Sequence, residues 1–263
     1  MLTDITIGQY IPCDSPIHRL DPRIKIIITI LLITALFFIS RFTGFAIYLA
    51  FIILIVIISR LPVKRVLTGL KPIFFLVVLT LVLHVFLTRG GRVLWEWRFL
   101  RIEEAGLFTG LFMVSRIFLL IMFTSLLTLT TSPLQLTDGI EYLLTPLKRF
   151  GVPAGELAMM MTIALRFIPT LLEEAEKIMK AQMARGADFE SGNIIKRAKN
   201  LIPLLVPLFI SAFRRADDLA LAMESRCYRG GEGRTRLHEL KIKRSDIVSL
   251  IISIILGVGI SFF

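Results

Sequence analysis

Long apolar runs constrain this chain more than any other feature. Residues 24–39 are nearly pure Ile, Leu, Phe and Ala, interrupted by Lys25, Thr29 and Thr34. Residues 45–59, 72–87, 106–129 and 247–263 repeat the pattern, and 55% of the 263 residues are hydrophobic. A soluble domain of this length has no use for so much aliphatic surface, whereas a bilayer core demands it. The sequence therefore predicts an all-α, polytopic integral membrane protein with about five transmembrane helices. The first two runs are short for a span and suit a tilted hairpin around Ser40 to Gly44.

The polar remainder is basic, with a net charge of +11. Nucleic-acid binding accounts for such a charge in soluble chains, but cytoplasmic loops of membrane proteins carry the same excess. His18, Arg19, Arg23 and Lys25 in the lead-in, Arg60, Lys64, Arg65 and Lys71 in the second loop, and the region 133–245 all place themselves inside. The polar loop 89–104 votes the other way with Arg89, Arg92, Arg98 and Arg101, and is outweighed. Its Trp95 and Trp97 suit a headgroup interface. The expected topology is N-terminus inside and C-terminus outside, in the cell (inner) membrane, and no cleavable signal peptide is visible. Cys13 and Cys227, both in polar segments, read as reduced thiols.

Local signals set the helix ends. Asp21 before Pro22 is an N-cap followed by a first-turn proline, and Ser132 before Pro133 repeats the device. A short amphipathic helix then runs to about Arg149, broken by Pro146 and closed by Gly151-Val152-Pro153.

Two long helical patterns follow, 157–183 and 198–224. In the first, Leu165, Ile168, Leu172, Ala175 and Met179 form one face, with Glu173–Lys177 and Glu176–Lys180 pairs opposite. In the second, Leu201, Leu205, Leu208, Ala212, Ala216, Leu219 and Met223 form the stripe, with Arg214 and Asp218 on the wetter side. Pro169, Pro203 and Pro207 predict bends. Each helix spans roughly 45 Å, and the stripes are expected to face each other and the membrane region. The first helix ends at Ala184-Arg185-Gly186 and the second at Ser225-Arg226-Cys227.

No catalytic constellation emerges. His18, His84 and His238 have no companions at metal-ligand spacing, so no metal site is expected. No glycine-rich phosphate loop with its lysine is present, and no cofactor is implied. Arg185 and Arg226 have two readings. Each can neutralise the negative end of its own helix, or, flanked by small residues, fork onto a partner's carboxylate or carbonyl groups. Arg116 lies about 15 Å into the fourth run. At that depth it faces protein or water, or snorkels outward. With no acidic residue in the first three runs, its partners must be carbonyl or hydroxyl groups.

Three long stretches resemble the transmembrane (T) component of energy-coupling factor (ECF) transporters, the family that includes the cobalt-transport permease. They are SPIHRLDPRIK at 15–25, ELAMMMTIALRFIPTLLEEAEKIMKAQMARG at 156–186 and RRADDLALAMESRCYR at 214–229, together with Thr130 to Pro133. The resemblance covers almost the whole chain. It implies that the two long helices are cytoplasmic coupling helices. The arginine of each Ala-Arg-Gly motif would then dock on one of two ABC-type ATPase subunits, which places Arg185 and Arg226 in that role. The second motif departs from the pattern, since Ser225 and Cys227 replace alanine and glycine. Cys227 loses glycine's easy left-handed backbone, and Gly230-Gly231 is expected to supply the turn instead.

The organisation expected is a four-helix membrane region over 1–131, a cytoplasmic coupling-helix region over 132–245 and a last transmembrane helix over 246–263. The function implied is that of a non-catalytic scaffold. It passes ATP-driven motion from two ATPases to a membrane-embedded, substrate-binding S component that takes up a vitamin or metal ion. Met159, Met160, Met161, Leu204 and Leu205 are the expected S-component seat, because methionine-rich faces adapt to varied partners. Ordinary helix packing is the other reading of the same residues. A self-sufficient secondary transporter or channel is the alternative class. It calls for mid-membrane polar groups or inverted repeats, and apart from Arg116 the spans lack them.

Overall fold

Asp21 caps the first helix as the sequence predicts, its Oδ1 accepting the backbone N–H of Arg23 at 2.9 Å ahead of a first-turn proline. The structure is a computed structural model that describes residues 10–97, 100–189, 193–228, 230 and 240–261. The helices are α1 (Pro22–Phe37), α2 (Phe42–Ser59), α3 (Val63–Thr68), α4 (Phe74–Leu87) and α5 (Glu104–Thr130), then α6 (Pro133–Leu144), α7 (Ala154–Ala184), α8 (Ile194–Ser225) and α9 (Arg244–Ser261). Single 3-10 segments precede α4 and follow α6. The described residues are all-α apart from one antiparallel ribbon, β1 (Val93–Trp97) with β2 (Leu100–Glu103).

That ribbon replaces the expected polar loop between the third and fourth runs. Trp95 pairs with Ile102 and Trp97 with Leu100. The side chains of Trp95 and Trp97 lie outside the described residues, as do Arg98 and the side chain of Arg101. The second loop is likewise partly helical, Lys64 and Arg65 lying on α3.

Among the described residues, four stretches are long and apolar enough to cross a membrane: Phe42–Ser59, Val63–Leu87, Glu104–Thr130 and Ala154–Ala184. Three match expected spans. α1, at 16 residues, is short of the roughly 20 that a bilayer core requires. α9 has 18 residues with Arg244 and Asp246 in its first turn, and residues 262–263 lie outside the described set. The fourth stretch is the first long helix, whose first half is apolar and whose second half carries Glu173, Glu174, Glu176, Lys177 and Lys180.

The chain divides into two compact units, residues 8–139 with 239–263, and residues 1–7 with 140–238. In the first, α1, α2 and α5 enclose a core of Leu32, Leu36, Tyr48, Ile52, Phe123 and Leu126. Tyr48 meets Phe123 edge-on with centroids 5.6 Å apart, and Phe45 meets Phe112 at 4.7 Å. Such edge-to-face pairs favour one packing geometry over others of equal area. α5 packs closely on the end of α4 at Gly106. A Cβ there would stand 2.8–3.0 Å from the backbone oxygens of His84, Val85 and Thr88.

Ser132 and Gln135 form a reciprocal capping box at the start of α6, each side chain answering the other's backbone N–H at 3.3 Å. Gly151, at φ 86°, then ends the segment where the sequence places its stop. The second unit is built on α7 and α8. Both are unbroken through their internal prolines, and both start three to four residues earlier than expected.

Candidate functional site

α7 and α8 end in the same hydrogen-bonded backbone shape. At the end of α7, Gly186 N–H donates to Met183 O at 2.9 Å and Ala187 N–H to Gln182 O at 3.0 Å. At the end of α8, Cys227 N–H donates to Glu224 O at 2.8 Å and Tyr228 N–H to Met223 O at 3.0 Å. Each pair is a Schellman motif, a short-range bond nested in a longer one. Its pivot must be left-handed, and here it is Gly186 at φ 87° and Cys227 at φ 56°. The expectation that Gly230-Gly231 supplies the second turn is therefore corrected. Cys227 supplies it, because φ near +57° is open to an L-residue at a cost. Gly231 lies outside the described residues. A Cβ on Gly186 would meet nothing within 4 Å, so the position demands a backbone angle and leaves room for a side chain.

Arg185 and Arg226 each sit immediately before the pivot. Both are exposed, as are Ala184, Gly186, Ser225 and Cys227. Backbone N–H groups answer two last-turn carbonyls in each helix, Gln182 and Met183 in α7 and Met223 and Glu224 in α8, so these caps form without either guanidinium. No hydrogen bond or ion pair among the described residues engages these two side chains. Ser225 Oγ bonds back to Ala222 O at 2.9 Å.

Among the described residues, Glu174 of α7 joins the two helices by accepting two hydrogen bonds from α8. Arg215 donates to Glu174 Oε2 at 2.8 Å while Ser211 donates to Glu174 Oε1. Beside it runs an apolar groove of about 470 Å³ between Phe167 and Leu171 of α7 and Ala212, Leu219 and Met223 of α8. Four of the seven residues of the expected α8 stripe, Ala212, Ala216, Leu219 and Met223, thus line the groove against α7, as predicted. Leu201 and Leu205 do not, being 42% and 44% exposed. The four-apart pairs singled out in the sequence form no ion pair among the described residues, and Glu174 and Arg215, not singled out, do. Their pairing depends on the rotational phase at which α7 meets α8, which a single helix's periodicity does not encode.

Comparison with known proteins decides the family. The cobalt transport protein family matches residues 14–237. The energy-coupling factor transporter transmembrane protein EcfT of Thermosediminibacter oceani is 60% identical, covering 98% of this chain and 97% of its own. Those of Acidaminococcus fermentans and Bacillus subtilis are 55% and 47% identical over all of this chain, covering 97% and 99% of their own lengths. The chain belongs to the ECF transmembrane-component family.

In this T component the residues expected to seat a partner are spread over both long helices. Met160, Met161 and Leu205 are exposed, whereas Met159 and Leu204 are half-buried. Sequence reasoning missed a wider apolar face on α8, where Ile202, Val206, Phe209 and Phe213 are 53–67% exposed. Their three- and four-residue spacing marks a second stripe beside the first, and that spacing was the available signal.

The lead-in of the T component does structural work. Arg23, Lys25, Asp21 and Asp246 are all buried. Lys25 Nζ donates to His18 O at 3.2 Å and Thr130 O at 2.9 Å. Arg23 pairs with Asp21 at 3.2 Å and donates to Leu240 O at 2.6 Å. Asp246 accepts the backbone N–H groups of Asp21 at 3.0 Å and Lys243 at 2.6 Å. Two cations and two carboxylates thus tie the starts of α1 and α9 to the end of α5.

Arg116 finds carbonyl partners, as the sequence requires. It donates to Ile39 O at 3.3 Å, beyond the end of α1, and its guanidinium lies 5.2 Å from the Phe112 ring. Among the described residues no group of three or more His, Cys, Asp or Glu is placed to hold a metal ion.

Proposed function

We propose that this T component is the coupling subunit of an ECF-type ABC importer. It passes motion from two ABC-type ATPase subunits, which hydrolyse the ATP, to a membrane-embedded S component that takes up a vitamin or a metal ion. Arg185 docks on one ATPase and Arg226 on the other. The observation that carries this reading is the repeated helix ending. Two long helices present an exposed arginine from the same backbone motif, and that motif forms without the side chain. A guanidinium so presented retains its full fork of donors for a partner's carboxylate or carbonyl groups.

In the same reading residues 132–245 form the cytoplasmic coupling region, and 1–131 and 246–263 the membrane region. The N-terminus is inside and the C-terminus outside the cell membrane, following the Lys and Arg of the lead-in and second loop. The S component sits on Met159, Met160, Met161, Leu204 and Leu205. The exposed Phe209 and Phe213 extend that surface.

The test is to copurify the tagged chain with its ATPases from membranes and to measure uptake in vesicles. The R185E/R226E double variant is expected to lose both bound ATPase and uptake while its own melting curve stays unchanged. Normal copurification and uptake by that variant would end the docking reading.

A further inference from the structure

Two recesses on the membrane unit meet end to end. The first, of about 330 Å³, lies among α1, α2, α5 and α9 and is walled by Leu32, Leu54, Ile58, Leu127 and Ile252. Four of its five lining hydroxyls, those of Thr29, Thr130, Ser249 and Ser253, are turned into their own helices. Thr29 donates to Lys25 O, Thr130 to Leu126 O and Ser253 to Ser249 O. The recess is therefore greasy despite the Ser and Thr residues in its lining. Its outer wall is open, with Leu54, Ile58 and Ile252 between 41% and 53% exposed. On a membrane-spanning unit, that opening faces acyl chains.

The second recess, lined by Asp14, Arg19, Arg60 and Lys243, shares Pro16 and Ser245 with the first. Arg19 is neutralised by a two-pronged bond to Asp14 at 2.8 and 2.7 Å. Lys25, at the inner end of the greasy recess, belongs to the charge-balanced knot with Arg23, Asp21 and Asp246. The recess sets Arg19, Arg60 and Lys243 against one lining carboxylate, Asp14, which Arg19 already engages and which also feels the charge of Arg60, so positive charge remains in excess. Arg60 and Lys243 are exposed, and neither side chain has a hydrogen bond or ion pair among the described residues. Arg60 is held at the mouth by a left-handed backbone, φ 53°, where α2 ends.

A greasy slot open to the bilayer with an excess of positive charge at its mouth matches one chemistry, an amphiphile with an anionic head. We propose that this face binds an anionic phospholipid, its phosphate held by Arg60 and Lys243 and an acyl chain lying in the slot of Leu54, Ile58, Leu127 and Ile252. A zwitterionic lipid carries its own cation beside the phosphate and leaves that excess uncompensated. Basic pockets between membrane helices select anionic headgroups for this reason.

Native mass spectrometry of the purified chain tests the proposal, with phosphatidylglycerol and phosphatidylcholine of identical acyl chains. The wild type is expected to retain phosphatidylglycerol at least tenfold better. R60Q/K243Q should remove that preference, roughly fivefold for each cation. The charge-matched control K64Q/R65Q, on the exposed face of α3, should keep it. Equal retention of the two lipids by the wild type, or equal loss of preference in both variants, overturns the site. A photoreactive benzophenone side chain at position 54, activated in native membranes, should yield a lipid adduct. A protein adduct there would show that another subunit fills the slot, and also overturns the proposal.

Discussion

Cys227 ends α8 with the left-handed backbone, φ 56°, that Gly186 uses at φ 87° to end α7. The two helix endings are the same device built from different residues. One is built with a free choice of angle and the other against a steric preference.

That difference predicts opposite effects of substitution at equivalent positions. Left-handed backbone costs a non-glycine residue about 1–2 kcal/mol. Cys227→Gly should therefore raise stability by about 1 kcal/mol, less the entropy that glycine adds to the unfolded chain. Gly186→Ala should lower it by about 1 kcal/mol despite the open space around it. Thermal melting in detergent reads both. A stabilising Gly186→Ala would mean that the turn is not left-handed in solution.

At the tips themselves, conservative replacement distinguishes docking from helix capping. Arg185→Lys and Arg226→Lys keep the charge and lose the planar fork. A charged hydrogen bond in a partner's groove is worth about 1.5–3 kcal/mol. Each Lys variant should hold its ATPase roughly tenfold more weakly, with unchanged melting of the isolated chain. If only the helix dipole mattered, both would be silent in the ATPase titration.

The buried knot around Asp246 should be the most sensitive polar site in the membrane unit. Removing one carboxylate from a buried, charge-balanced set typically costs about 3–5 kcal/mol. Asp246→Ala also leaves the backbone N–H of Asp21 without its acceptor. Its melting temperature should fall sharply. Asp246→Asn, which keeps one oxygen for that N–H, should lie between Ala and wild type.

Gly106 is predicted to tolerate no side chain. A methyl group there would press on three carbonyl oxygens of α4 and its C-cap at 2.8–3.0 Å. Backbone cannot swing aside as a side chain does, so Gly106→Ala should cost about 1–3 kcal/mol. Gly259→Ala, with nothing within 4 Å of its new methyl, is the matched control and should be near neutral.

Elements governed by close neighbours along the chain are legible in the residues themselves. The Asp21 cap, the Ser132 start, the Gly151 stop and the ends of α7 and α8 each arise within about four residues, where side-chain and backbone groups meet whatever the rest of the chain does. The carbonyl partners of Arg116 are legible too, by elimination, since no carboxylate is available in the nearby runs.

The apolar runs and the local caps were settled by the sequence alone, because bilayer thickness and helix-end chemistry act on short windows. Tertiary structure decided the rest. It paired Glu174 with Arg215, brought Asp246 beneath Asp21, set Gly106 against the carbonyls of α4 and paired residues 93–97 with 100–103 as a ribbon. These outcomes depend on the phase and depth at which distant surfaces meet. Packing fixes those quantities, and the periodicity of one helix leaves them free.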